Sequence, residues 1–504
     1  MQRSLSILLL LAVATFPAYG QGAEEQEFYA YLGDVKLRWP EETISERRKS
    51  LVREFQRYDY PDAAKWLMTR VLVKDRAGDV LRETVRVLAS YRRPETVAQM
   101  AKTWKSKLKK GERRALGVYA FVHTKDPAAR KVIETALKDR DARTIVAACD
   151  AIGLGNRREL VPQLVKMLKH RSEKVRIASL QALYQLREED VVPEVFKAFC
   201  AADNPRVRFE AWQTLERLTR QEHGLDPNTW QDWWMEQKGE VAEGAPDPWG
   251  KNFPNVRPPI VQPARFFGIP VVGQRICFVL DTSGDMDNAW RIDVNAERKK
   301  PKEERTPSFF SVKTRWQLVS AHVGRCLKEL PPETEVAFVF YYNRVFVYPD
   351  SGKFMRNSEK NRKALLAHLK KVKRDGTTAM YEGLKRGWGF LKDGDAALNF
   401  KRGCDTILFT TDGRVTAGKL KDRADRLRDE IWRVASLRRL RIHTVGLHNH
   451  DFELMKNIAK DTGGLYVHAQ QAGDAAEPQD LDFWPEKKAA FEAARKAARK
   501  GAGG

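Results

Sequence analysis

Arg275-Ile276-Cys277-Phe278-Val279-Leu280-Asp281-Thr282-Ser283-Gly284-Asp285 is the stretch on which the fold turns. Residues 276–280 are apolar without alternation, the pattern of a central strand buried on both faces. The run stops in a turn rich in side-chain oxygens. Beyond it the pattern alternates. Helical spacing is expected over 312–330, 357–372, 380–391, 420–437 and 451–461, and strand patterns over 335–342, 345–348, 406–410, 441–447 and 465–468. Such alternation predicts a doubly wound, mostly parallel α/β sheet. Ligands of these sheets bind beyond the carboxyl ends of the strands, at the point where strand order reverses.

Three turns at such ends carry oxygens: Asp281-x-Ser283-x-Asp285, Gly376-Thr377-Thr378 and Thr411-Asp412-Gly413. Carboxylates and hydroxyls without nearby His or Cys suit a hard divalent cation. On these motifs residues 266–470 resemble a von Willebrand factor type A domain. Ile442-His443-Thr444-Val445-Gly446 and Thr462-Gly463-Gly464-Leu465-Tyr466-Val467 are similar to the closing strands of that family. The resemblance implies a metal-ion-dependent adhesion site using Asp281, Ser283, Thr378 and Asp412, with Mg²⁺ or else Ca²⁺ or Mn²⁺ as cofactor. Asp285 stands where the family has Ser. It would place a third carboxylate beside Asp281 and Asp412, and like charges within a few ångström repel. Two readings stay open: a cation site that accepts neutral partner ligands, or a retired site whose Asp side chains cap turns.

No catalytic residue is assigned. Ser283 has no evident base, and His443 lies on a buried-looking strand. His448-Asn449-His450-Asp451 reads either as a transition-metal loop or as a solvated turn capped by Asp451. No Gly-rich phosphate loop with a following Lys is present.

Upstream, residues 25–238 read as helices with an internal period. Leu160-Val161-Pro162-Gln163-Leu164-Val165-Lys166 returns as Val191-Val192-Pro193-Glu194-Val195-Phe196-Lys197, Val175-Arg176 as Val207-Arg208, and Ala89, Ala120, Ala151 and Ala182 recur every 31 residues. A single helix pair cannot bury its apolar face, so the units must stack into a solenoid. The period and the Val-Arg pairs resemble HEAT repeats, which implies a concave surface for a protein partner. Trp230, Trp233 and Trp234 are read as an aromatic plug on the last unit. Seven Pro follow between residues 246 and 270, so 239–265 is expected to be a stiff linker between two independently folded bodies, with 266–272 pairing as an edge strand of the next domain.

At the start, Arg3 precedes an apolar run over 5–16, and Ala18-Tyr19-Gly20 offers small residues for cleavage. Residues 1–20 are therefore expected to be a secretory signal peptide, and the chain exported to a periplasmic or extracellular place. Among 504 residues, five Cys (149, 200, 277, 326, 404) lie in or beside apolar stretches and read as buried thiols, with Cys277–Cys404 as the pair to test for a disulfide. Lys and Arg number 90 against 67 Asp and Glu, a net charge of +23. The excess is spread through the array, the charged insertion 291–315 and the basic tail 471–504. It supports a second reading, an anionic-polymer or cell-envelope surface binder. The preferred reading is a non-enzymatic exported binding or scaffold protein with a protein partner. No specific nucleic acid is expected.

Overall fold

The computed structural model describes residues 22–187, 189–239, 263–300, 305–391, 396–414, 417–418, 420, 423–448 and 450–471. The segment read as a signal peptide, almost all of the linker, residues 472–504 of the tail and Asn449 lie outside these. So does the side chain of Trp234. No helix among the described residues is long and apolar enough to cross a membrane.

The first half is helical throughout. Its helices are α1 (Ala23–Arg38), α2 (Ser45–Glu54), α3 (Pro61–Trp66), α4 (Gly78–Leu88), α5 (Pro94–Lys107), α6 (Gly111–Tyr119) and α7 (Pro127–Ala136). They continue as α8 (Ala142–Leu154), α9 (Val161–Met167), α10 (Glu173–Leu186), α11 (Val192–Ala201), α12 (Pro205–Thr219) and α13 (Pro227–Gly239). Pro94, Pro127, Pro162, Pro193, Pro205 and Pro227 sit in first turns, where the missing N–H costs nothing. Asp126, Asp141 and Asn204 cap the helices that follow them through their side-chain oxygens. α2, α4, α6, α8, α10 and α12 pack each on the next as one row, with α3, α5 and α7 in a second row. A single apolar core runs from Phe28 to Trp230. Trp230 is buried, donates to the Gly224 carbonyl at 2.8 Å and meets His223 and Trp233 edge-on, which makes it the aromatic plug read from the sequence.

The second half is an α/β domain. It comprises β1 (Ala264–Phe266), β2 (Ile269–Val271), β3 (Arg275–Asp281), α14 (Val294–Lys299), α15 (Arg315–Glu329), β4 (Glu335–Tyr341), β5 (Val345–Tyr348) and β6 (Met355–Arg356). Then come α16 (Glu359–Lys371), α17 (Met380–Trp388), α18 (Ala396–Arg402), β7 (Thr406–Thr411), α19 (Ala424–Arg438), β8 (Arg441–Leu447), α20 (Phe452–Thr462) and β9 (Tyr466–Ala469). The strands run in the order β5-β4-β3-β7-β8-β9, with β6 also on β4. β4, β3, β7, β8 and β9 are parallel, while β5 and β6 are antiparallel to β4. Ile276, Phe278 and Leu280 face a core shared with α15 and α16. Cys277 and Val279 face the core under α17, α19 and α20. Both faces of β3 are covered, which is why its sequence shows no alternation.

Two expectations are corrected. Residues 266–272 do not join the sheet: β1 and β2 pair with each other, and β1 packs on α15. All five Cys are free and buried, so Cys277 and Cys404 form no disulfide.

The two halves are also not separate bodies. The even-numbered row of the array carries the α/β domain on it. Asp429 of α19 accepts from Lys49 at 3.3 Å and Arg82 at 2.8 Å, and Glu430 accepts from the Gly78 N–H at 2.7 Å. Arg426 faces Asp79 at 3.4 Å, Arg433 faces Glu112 at 3.0 Å, and Arg423 pairs with Glu46. Arg439 pairs with Asp150 and donates to Gln181 at 3.0 Å. Last, Glu210 holds both Arg206, at 2.9 Å, and Arg441. Leu437 completes the array's apolar core, and Trp432 packs against it. The even-numbered row of the array is thus covered by α19 and the residues around it.

Candidate functional site at the carboxyl end of the sheet

Strand order reverses between β3 and β7, because β4 lies on the far side of β3. Register sets Leu280 opposite Thr410, so the turns after β3 and β7 emerge side by side. Asp281 is fully buried there. Its Oδ1 accepts from the Ser283 N–H at 2.8 Å, and its Oδ2 from the Thr411 hydroxyl at 2.8 Å. The Ser283 hydroxyl donates to Asp412 Oδ1 at 3.4 Å. The third turn is pinned to the first: Gly284 N–H donates to the Gly376 carbonyl at 3.2 Å, and Asp375 N–H to that of Thr282 at 3.0 Å. Gly376 has φ +66°, and a Cβ there would lie 2.9 Å from the Tyr342 ring, so glycine is needed for the turn to close. Thr378 is buried, and its hydroxyl lies 3.5 Å from where a Cβ on Gly413 would be. Four of the five expected residues, Asp281, Ser283, Thr378 and Asp412, therefore form a buried floor.

Asp285 does not join them. The chain after Ser283 enters a 3₁₀ turn over Gly284–Asp287, which carries the Asp285 side chain to the surface, 3.2 Å from the Asn288 amide. The three-carboxylate cage expected from the sequence is corrected to two carboxyl groups with a third on the rim. Among the described residues no three Asp, Glu, His or Cys side chains converge as metal ligands.

A residue that the sequence reading passed over completes the site. Arg315, at the first turn of α15, donates from Nη1 to Asp412 Oδ2 at 2.9 Å and to the Asp285 carbonyl at 3.3 Å. The side chains of Arg315 and Asp412 are 8% and 1% exposed. Burial, then the nearby Asp412 carboxylate, holds the Asp281 carboxyl well above its usual range. Burial also raises Asp412, against the pull of Arg315. The oxygens are right in kind for a hard divalent cation. As they stand they do not fit one, because Asp412 has spent an oxygen on a guanidinium that already brings positive charge into the floor.

Around this floor runs an exposed rim of Gly284, Asp285, Asp287, Asp375, Gly376 and Thr377. Arg374 donates to Asp287 at 2.8 Å across it. The other histidine candidates lie elsewhere. His443 is buried and accepts the Leu465 N–H at 3.1 Å. His450 is buried and bonds the Tyr466 hydroxyl at 2.7 Å and the His448 carbonyl at 3.0 Å. It is a packed core group rather than an open loop ligand. Asp451 caps α20 through the Leu454 N–H.

Residues 161–225 match the family model for HEAT repeats. No curated protein matches the chain. Among solved structures, the chain is similar to a von Willebrand factor type A protein from Catenulispora acidiphila, with TM-score 0.29 and 16% identity over 44% of this chain and 43% of that one. It is also similar to the PilB minor pilin from Streptococcus sanguinis, with TM-score 0.26 and 13% identity over 46% of this chain and 63% of that one. The chain thus spans less than two thirds of the length of either.

Proposed function

We propose that the chain is a non-enzymatic, exported binding and scaffold protein that meets a protein partner at the rim around Asp281 and Asp412. One observation carries this reading. The array holds α19 and the amino ends of β7 and β8, where Arg206 donates to the Asp405 carbonyl at 3.2 Å and Arg441 pairs with Glu210, while the site lies at the opposite, carboxyl end of the same strands. The HEAT repeats act as a buttress, and the rim is the surface presented. The type A resemblance of the three turns supports the same end of the sheet as the contact. The floor carboxyl groups are engaged by Ser283, Thr411 and Arg315, which speaks against a general base aimed at a substrate. Contact at this rim requires no divalent ion.

The test is photo-crosslinking from the full chain, with the reactive residue at Asp287 or Asp375 on the rim or at Thr135 on α7. The expected result is one protein species from a native extract captured at both rim positions, absent at Thr135 and retained in high salt. Capture that follows the basic surfaces and vanishes with salt would favour the anionic-polymer reading instead. Turnover of a hydrolase substrate panel, lost in Asp281→Asn, would overturn the non-enzymatic assignment.

A further inference from the structure

We infer that the guanidinium of Arg315 occupies the place a divalent cation would take, so that the floor is closed to metal in the native chain and opens to it only when that side chain is removed. The argument is geometric. A cation at this position would tie the turn after β3 to the aspartate after β7. Arg315 already does so, through a single Nη1 that reaches Asp412 Oδ2 at 2.9 Å and the Asp285 carbonyl at 3.3 Å.

The backbone of Arg315 is fixed by the same turn. Its N–H donates to the Asn288 carbonyl at 3.2 Å, and Trp290 N–H donates to that of Lys313 at 2.8 Å. Thr314, which caps α15, forms a bridge with Ala289. The root of the side chain is therefore held beside the turn whose tip the guanidinium clasps.

A divalent ion beside this group would meet a like charge at a few ångström in a nearly dry site, where repulsion is weakly screened. It would also find Asp412 Oδ2 already engaged. Asp285 at the surface fits the same picture, since a tethered monovalent cation needs fewer anionic ligands around it than a divalent ion does. The inference is independent of the contact reading, because the rim can meet a partner with either cation beneath it.

The test uses the full chain and the metals alone, Mg²⁺, Mn²⁺ or Ca²⁺. Thermal midpoints in chelator and in millimolar metal are compared for the native chain, Arg315→Ala and Arg315→Gln, with Mn²⁺ titration calorimetry in parallel. A bound ion raises the midpoint by mass action. The native chain is expected to show no shift and no saturable Mn²⁺ heat. The two variants are expected to melt lower in chelator and to regain part of the loss in metal, and adding Asp281→Asn should abolish the regain. If the variants do not fold in chelator, recovery of their helical signal on adding Mn²⁺ is the same gain. Saturable Mn²⁺ binding to the native chain that disappears in Asp281→Asn would overturn the inference. So would Arg315 variants that fold yet show no metal-dependent shift. Rim crosslinking is read separately and does not depend on either result.

Discussion

Asp412 and Arg315 form a nearly sealed pair, and Asp281 lies buried beside them, bonded to the Ser283 N–H and the Thr411 hydroxyl. Breaking a buried pair from one side costs about 3–5 kcal/mol, because the remaining charge is left uncompensated. Arg315→Gln should lower stability by that order in urea unfolding without metal, while Lys328→Gln on the exposed side of α15 should stay within about 0.5 kcal/mol of the native chain. The buried thiols give a second outcome at this scale. Burial raises the pKa of Cys149, Cys200, Cys277, Cys326 and Cys404, so little thiolate exists at neutral pH. A thiol-reactive disulfide reagent should modify none of them in the native protein and all five after denaturation. Asp281, Ser283 and Asp412 were legible because each sits in a short motif at the end of a strand, and Thr378 because it lies in a short oxygen-bearing turn, which the fold sets between α16 and α17 rather than after a strand. Asp285 was misjudged because its spacing suggested a ligand, whereas the 3₁₀ turn after Ser283 points it to the surface. Arg315 carried no local signal. It precedes Asp412 by 97 positions, and only the packing of α15 against the turn after β3 brings the two together.

α19 is the element whose role the sequence concealed. The arginines in and around it and the acidic residues of the array lie far apart in sequence. In the fold they correspond: Glu46, Asp79, Glu112 and Asp150 recur about one repeat apart along the even-numbered row, with Glu210 about two repeats further on, opposite Arg423, Arg426, Arg433, Arg439 and Arg441. The signal was periodic acid in one half facing a run of arginine in the other, and a residue-by-residue charge count averages it away. Asp429 carries two of these contacts at once, from Lys49 and Arg82. Asp429→Ala should weaken the joint by about 1.5–3 kcal/mol, the range for hydrogen bonds to charged groups. Amides of α4 and α19 should then exchange faster together, while those of β3 stay unchanged. β3 itself was fully legible, since burial on both faces writes a continuous apolar run. A close approach further along was not. A Cβ on Gly464 would collide with the Ile442 carbonyl of β8, a backbone atom that cannot rotate away. Gly464→Ala should therefore cost about 1–3 kcal/mol or more, seen as a lower midpoint with β8 and β9 exchanging first.

At the scale of the molecule the sequence suggested two bodies on a spacer, and the fold joins them along one face. Proline in 239–265 spoke only of the tether; the joint is built from side chains far apart in sequence, such as Glu210 and Arg441, 231 positions apart. That pair makes the joint sensitive to acid. Burial alone would raise the Glu210 carboxyl, but Arg441 and Arg206 outweigh it and bring it from 4.5 down to about 2. A carboxylate depressed in the folded state adds stability above its unfolded pKa and loses it as pH falls through the folded one. Stability should therefore decline from about pH 4.5 toward pH 2, and Glu210→Gln should flatten that part of the profile while lowering stability at neutral pH. The most direct measurement is the distance between the halves. Spin labels on cysteines placed at exposed Thr135 of α7 and Glu453 of α20 would report it by pulsed electron resonance, with the native thiols buried and silent. A single narrow distance distribution that broadens on Asp429→Ala with Arg439→Ala is expected. A broad distribution in the native chain, unchanged by those substitutions, would mean that the array and the α/β domain move as separate bodies and that the array does not buttress the rim.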